Sequence, residues 1–327
     1  MLAEHRGHRP GRSPQSPLWQ RHPGTRMAAK KVLLDTDIGD DIDDALALGL
    51  LLSCPEVELV GVTTVFKNVQ LRARLALKVL EAFGRDDVTV VCGIGHPIDE
   101  DRRVFTDADH FPRQAEVLLD DPPKGKPQEG FAVDFIARTI LESPGEISLL
   151  SIGPLTNIAG AIRKYPRIVK AVKEYVMMGG HNGLFGRTRA EWNVQCDPLA
   201  AKMVFDSGIP MTMVGLDVTV KCPMRPDDLV RLRACRKESV KLLCKLIELW
   251  QDADKTRLPI LHDPLAAALL VDRSFVRTTK ERISVETRGE LTRGFTVPVE
   301  DGRAGCEVAV DVQSERFLDF FVERLTG

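Results

Sequence analysis

In the segment Lys31-Val-Leu-Leu-Asp35-Thr-Asp37-Ile-Gly39-Asp40-Asp41-Ile42-Asp43-Asp44-Ala45-Leu-Ala-Leu48, a short apolar run stops abruptly in acids and a longer apolar run follows. The first run reads as a buried parallel strand, and Ala45 to Leu52 as the helix packed back on it. Between them, six aspartates fall within the ten residues from Asp35 to Asp44. Helix capping accounts for one or two acids at such a place, not six. Carboxylates this close repel strongly in a partly desolvated cleft, so either some stay protonated or a cation sits among them. A hard, oxygen-seeking Ca²⁺ or Mg²⁺ suits such a set, with Gly39 permitting the tight turn. The spacing is not that of an EF-hand, which needs a late glutamate and helices on both sides.

Working outward, the same strand-then-helix rhythm recurs. Val57–Val65 is rich in β-branched residues and Leu71–Phe83 is helical in pattern. Val88–Cys92, Ile147–Ser151, Lys173–Met178 and Met211–Gly215 read as further strands, with helices over Thr156–Lys164 and near Pro198–Ser207. This alternation predicts an α/β fold with an open, mostly parallel, Rossmann-like sheet flanked by helices. No linker interrupts it between Lys31 and Val214, so one continuous domain over 27–327 is expected. Arg225–Trp250 turns helical, and Ile283–Val312 reads as strands around turn residues. In such sheets ligands bind beyond the carboxyl ends of the strands, where the acidic loop lies.

Composition bounds the possibilities. The chain has 327 residues, 43% of them hydrophobic and 28% charged, and its 45 Lys+Arg against 47 Asp+Glu leave a formal charge of −2. That balance excludes a nucleic-acid binder driven by overall charge. Apolar stretches are broken well before a membrane-spanning length, so no membrane association is expected. The seven cysteines are odd in number and form no C-x-x-C pair, which suits free thiols in a reducing cytoplasm. Residues 1–26, rich in Arg, Pro, Gly and Ser, read as a disordered extension before a fold that starts at Met27. Gly93-Ile-Gly95 is too short for a dinucleotide fingerprint.

Several ordered motifs carry a family resemblance. Asp35-Thr-Asp37-Ile-Gly39 with Asp43-Asp44-Ala45-Leu-Ala-Leu48 resembles the N-terminal signature of the inosine–uridine-preferring nucleoside hydrolases. Gly61-Val-Thr-Thr-Val65 with Asn68, Ser151-Ile-Gly-Pro-Leu-Thr-Asn-Ile-Ala159, and Met178-Gly-Gly180 with Glu191-Trp-Asn193 and Asp197-Pro198 follow in the family's order, as does Leu261-His262-Asp263-Pro264. The resemblance runs from about Lys30 to the C-terminus.

It implies a calcium-dependent enzyme cleaving the N-glycosidic bond of ribonucleosides, in a homodimer or homotetramer. By resemblance, Asp37 is a calcium ligand and the general base for the attacking water. Asp44, the carbonyl of Ile152 and Asp263 complete the metal set. Asp43, Asn68, Glu191 and Asn193 hold sugar hydroxyls, Met178 packs near the sugar, and His262 helps the departing base accept a proton. Such residue types suit the chemistry, because breaking the bond builds positive charge on the ribose that nearby carboxylates stabilise.

Departures from the family pattern leave some positions open. Three residues separate Gly39 from Asp43 where one is usual, which leaves Asp41 as an alternative ligand and Asp40 and Asp41 as alternative solvated acids. His110 is a candidate base contact. Arg187 and Arg189 suit either an anionic group on the substrate or a salt bridge to Glu191. Lys67, where relatives usually have glycine, reads as a solvated rim residue. Two other readings compete. One is a Mg²⁺ phosphohydrolase with Asp35 as nucleophile, although Gly39 stands where that class usually has threonine. The other is a nucleoside- or ribose-binding protein without activity.

Overall fold

The computed structural model describes residues 28–99, 109–182, 189–303 and 305–327. The predicted extension over 1–26, most of the Asp101–Arg113 region and Arg187 lie outside the described residues.

Ten strands are present among them: β1 Lys30–Thr36, β2 Val57–Thr64, β3 Val90–Cys92, β4 Ile147–Ser151, β5 Glu174–Met178, β6 Met211–Val214, β7 Val276–Glu281, β8 Ile283–Val285, β9 Thr296–Pro298 and β10 Cys306–Val312. Eight form one sheet in the order β3-β2-β1-β4-β5-β6-β10-β7, and β8 pairs with β9 in a separate ribbon. Neighbours from β3 across to β10 run parallel, and only the edge strand β7 is antiparallel, against β10. The sheet is open, parallel in all but one edge pairing and flanked by helices, as the strand–helix rhythm predicted.

Both faces of the sheet are buried, and the period of two assigns each side chain. Val32, Leu34, Leu150 and Val176 point into one core with the helices Asp43–Ser53, Val69–Ala82, Glu238–Gln251 and Ser314–Thr326. Leu33, Leu149, Tyr175 and Met177 point into the other, against Ala132–Glu142, Thr156–Lys164 and Pro198–Asp206. The strand order reverses between β1 and β4, so the loops after these two strands diverge and leave a crevice.

The edge strand β7 was not anticipated from the sequence. Its sequence Val-Arg-Thr-Thr-Lys-Glu is only half-buried, so it lacks the apolar signature of the central strands. The helices Ala132–Glu142 and Ser314–Thr326 also escaped the sequence reading, although their apolar residues recur at helical spacing.

Candidate active site

The crevice at the switch point opens into a cavity of about 870 Å³, lined by the loop after β1, Ile152 after β4, Met178 at the end of β5, Glu191–Asn193, and His262–Asp263. At its floor Asp43, Asp44 and Asp263 each present a carboxylate oxygen, and these lie within 4.8 Å of one another. All three are buried. Asp43 and Asp44 open the helix Asp43–Ser53, and Asp263 lies in the first turn of the helix His262–Ala268. Two helix N-termini, whose amides favour negative charge, therefore converge on this trio.

Side chains around the trio fix its orientation. The Thr36 hydroxyl donates to Asp44 Oδ1 at 2.5 Å, and the Asp263 amide donates to Asp43 Oδ2 at 3.2 Å. Asp37 lines the same cavity beside the trio. Gly153 leaves room for it: a Cβ there would stand 2.8 Å from Asp37 Oδ1 and 2.9 Å from its amide nitrogen. Burial pushes the Asp37 carboxyl up to about 7, opposed by the charge of Arg72. Burial also holds Asp43, Asp44 and Asp263 well above the usual carboxylate range, with mutual repulsion adding to it. Carboxyls raised in this way lack a counter-charge, and the donor set of oxygens alone suits a hard divalent cation.

Of the sugar-side residues of the sequence reading, Met178, Glu191 and Asn193 line the same cavity, whereas Asp43 lies within the trio. Glu191 caps the short helix Trp192–Cys196, accepting from the amides of Asn193, Val194 and Gly180 at 2.8–3.0 Å. Its burial raises the carboxyl while those amides work to lower it. The Asn193 amide donates to the carbonyls of Ile152 (2.9 Å) and Met178 (3.2 Å), tying the ends of β4 and β5 together. His262 Nδ1 shares a 2.7 Å hydrogen bond with the buried Thr219 hydroxyl, and the histidine lines the cavity.

Asn68 is placed differently from its neighbours in the sequence reading. It is not among the residues lining the cavity; its Oδ1 caps the helix Val69–Ala82 at Leu71, and its Nδ2 donates to the His110 carbonyl at 3.3 Å. Asp40 is engaged by two cations, Arg72 Nη2 at 2.7 Å and Lys67 Nζ at 3.5 Å, and its other oxygen is hydrogen-bonded to His110 Nε2. Asp41 is exposed on the cavity rim, its own Oδ1 accepting from the Ile42 amide at 2.8 Å. Lys67 is no freely solvated rim residue. Its side chain is 14% exposed, its φ is +56°, and its ammonium lies 5.3 Å from the Phe66 ring centroid. The left-handed backbone explains why glycine suits that position. Arg189 is exposed and does not line the cavity.

The phosphohydrolase reading fails on the position of Asp35. That residue is fully buried beneath the cavity floor, with Oδ1 accepting from Thr63 (2.5 Å) and Asn157 (2.7 Å). It does not line the cavity, so no substrate reaches it as a nucleophile.

The sequence reading missed Arg72, Thr219 and Trp250. Arg72 did leave a signal, because it shares a helical stripe with Leu75, Ala76 and Val79, where an apolar residue is the norm. Trp250, at the end of the helix Glu238–Gln251, lines the cavity with the Arg257 guanidinium 3.8 Å from its ring centroid.

The inosine-uridine preferring nucleoside hydrolase family model matches residues 32–319. A pyrimidine-specific ribonucleoside hydrolase RihA from Citrobacter koseri is 34% identical over 314 residues, covering 91% of this chain and 98% of that protein. A purine-preferring ribonucleoside hydrolase from Gardnerella vaginalis superposes with a TM-score of 0.80 at 32% identity, over 91% of this chain and 98% of that one. A plant nucleoside hydrolase gives 0.81 at 28% identity, over 91% and 99%. With that family model spanning most of the chain and a relative 34% identical over nearly its full length, the chain belongs to the inosine–uridine preferring nucleoside hydrolases, enzymes that cleave the N-glycosidic bond of ribonucleosides.

Proposed function

We propose that the protein hydrolyses ribonucleosides to free base and ribose with a calcium ion bound by Asp37, Asp44, Asp263 and the Ile152 carbonyl. The observation that carries this reading is the buried trio Asp43, Asp44 and Asp263 at the floor of the switch-point cavity. Bound there, calcium would supply the positive charge that acidifies an attacking water.

The chain's own groups do the rest. Asp37, raised to about 7 before any cation binds, takes the water's proton. Asp43, Glu191 and Asn193 position the sugar, and unmet polar groups on this wall disfavour sugars lacking the matching hydroxyls. The assembled carboxylates stabilise the positive charge that grows on the ribose as the bond breaks. His262, steadied by Thr219, eases departure of the base by giving it a proton.

An uncharged substrate suits this cavity. Its lining carries nine carboxylates against Lys67, Arg113 and Arg257. Lys67 is already beside Asp40, and Arg113 pairs with Asp252. A phosphorylated nucleoside would bring its charge against an acidic wall. Phe111 and Trp192, both partly exposed, line the mouth and offer apolar surface to a base.

Base release from a panel of purine and pyrimidine ribonucleosides, with and without a chelator, beside Asp37→Ala, tests the reading. Chelator-sensitive release that the substitution abolishes is expected. Calcium binding with every nucleoside intact after long incubation with excess enzyme would leave a binding protein instead. Five buried free thiols suit a reducing compartment. We propose a cytoplasmic protein that forms a homodimer or homotetramer, and light scattering of the purified protein checks the assembly. Among the described residues, no helix is long and apolar enough to cross a membrane.

A further inference from the structure

Asp40 and Asp41 stand in the acidic loop without a role in the chemistry, and Arg72 is among the largest fully buried side chains of the protein. Its guanidinium reaches four acceptors on two loops. Nε donates to the Phe66 carbonyl at 2.7 Å, Nη1 to the carbonyls of Asp37 and of Ile38 (3.0 Å to the latter), and Nη2 to Asp40 Oδ2 at 2.7 Å. Burying a guanidinium is costly unless its donors are met, and here one carboxylate and three carbonyls meet them. The two carbonyls on Nη1 belong to the consecutive peptide planes that flank the Ile38 Cα, so together they hold the backbone immediately after Asp37. The turn that follows, at Gly39, has φ +127°, and a Cβ there would lie 2.9 Å from Pro112 Cγ. Phe66 and Lys67, on the other loop, are both left-handed, at φ +69° and +56°. Such conformations persist only where the surroundings hold them, and the bond from Arg72 to the Phe66 carbonyl is one such hold.

We infer that Arg72, anchored by Asp40, is a positioning residue that pre-forms the Asp37–Asp44 loop for its metal, and that Asp40 serves this latch and is not a metal ligand. The inference rests on the function proposed above. A loop with six aspartates repels itself, and a cation that must also order the loop binds more weakly than one meeting a loop already shaped. Arg72 supplies that order from within the protein. A lysine keeps the charge yet lacks the planar fork that spans both loops.

The test uses the full chain as Arg72→Met, Arg72→Lys, Asp40→Asn and Asp44→Asn. Calcium affinity comes from calorimetry without substrate, and loop order from amide hydrogen exchange over residues 35–44 in metal-free protein. Arg72→Met should weaken calcium roughly 10- to 100-fold, the usual cost of losing a group that orients ligands. Its exchange should accelerate in that loop while the central strands stay protected. At saturating calcium kcat should fall with KM little changed, and Arg72→Lys should restore calcium affinity only in part. Asp40→Asn should weaken calcium about tenfold, at the low end of that range, whereas Asp44→Asn abolishes binding. If Arg72→Met does not fold, Arg72→Lys and Asp40→Asn decide. Parent-like affinity and parent-like loop exchange in those variants would overturn the inference, as would loss in Asp40→Asn equal to that in Asp44→Asn. A parent protein that binds no calcium and releases no base would sink the proposed function alone, since exchange in the metal-free proteins still reads the latch.

Discussion

The amide of Asp263 donates a hydrogen bond to Asp43 Oδ2 at 3.2 Å, across a sequence separation of 220 residues. This bond joins the first turns of two helices and fixes the trio of carboxylates as a unit. The same closeness that prepares the trio for a cation makes it unfavourable without one, because each acid is buried and repelled by its neighbours.

Removing one member should therefore separate stability from function. Asp44→Asn, or Asp263→Asn, is expected to raise the melting temperature of the metal-free protein while lowering base release more than roughly 100-fold, beyond the cost of losing an orienting group. Thermal melts in chelator beside base-release assays check this. A lower metal-free melting temperature in both variants would mean that repulsion in the trio is not a net cost.

The pH dependence has a defined sign. Asp37 is raised by burial from 3.8 to about 7, and burial also holds Asp43, Asp44 and Asp263 well above the ordinary carboxylate value. A carboxyl raised on folding contributes stability that is complete below its unfolded value and lost as pH rises through the folded one. The metal-free protein should thus lose stability between about pH 4 and 7 on this account. Calcium must displace those protons, so its affinity should climb over the same range. Melting scans at mildly acid and neutral pH, with and without calcium, should show a larger calcium-induced increase at neutral pH. An equal increase at both would remove the trio's titration from the explanation.

Gly153 has no room for a side chain. Gly153→Ala would place a methyl 2.8 Å from Asp37 Oδ1 and 2.9 Å from Val65 Cγ1. Overpacking of this kind costs about 1–3 kcal/mol. Since Asp37 must move, kcat should fall by a larger factor than stability predicts. Wild-type kcat in a folded variant would show that the Asp37 position is not critical.

Thr219 lies outside every motif that drew attention in the sequence, yet its hydroxyl holds His262 Nδ1. Thr219→Val, close in shape, should lower kcat by about tenfold, a fraction of the 10²–10⁴ that general acid catalysis contributes. Thr219→Ser should keep most of the activity. Ribosides whose leaving groups depart without a proton, such as 4-nitrophenyl riboside, should feel the valine least. An equal loss across all leaving groups would assign Thr219 to packing alone.

Much of this architecture was legible in the linear chain. Strands buried on both faces need continuous apolar runs, and Val32–Leu34 and Leu149–Leu150 supply them beside acids or turn residues. The motif Asp35–Asp44 announced a cation site because like charges so dense in sequence cannot be far apart in space. Less legible were polar groups with structural duties. Asp35, Asp40 and Asn68 belong to chemically suggestive motifs, yet they serve as a buried acceptor, a latch anchor and a helix cap. Local spacing says which residues are near one another, not which way each side chain turns.

Fold class and the acidic loop thus follow from local order in the chain, resting on short-range periodicity and charge density, while the family follows from its ordered motifs. Which aspartates converge, which one Arg72 engages, and what steadies His262 were settled by folding. Those outcomes depend on contacts such as Asp43 with Asp263, Asp40 with Arg72 and Thr219 with His262, whose partners lie 220, 32 and 43 residues apart. Over such separations, direction is set by how strands and helices pack in three dimensions.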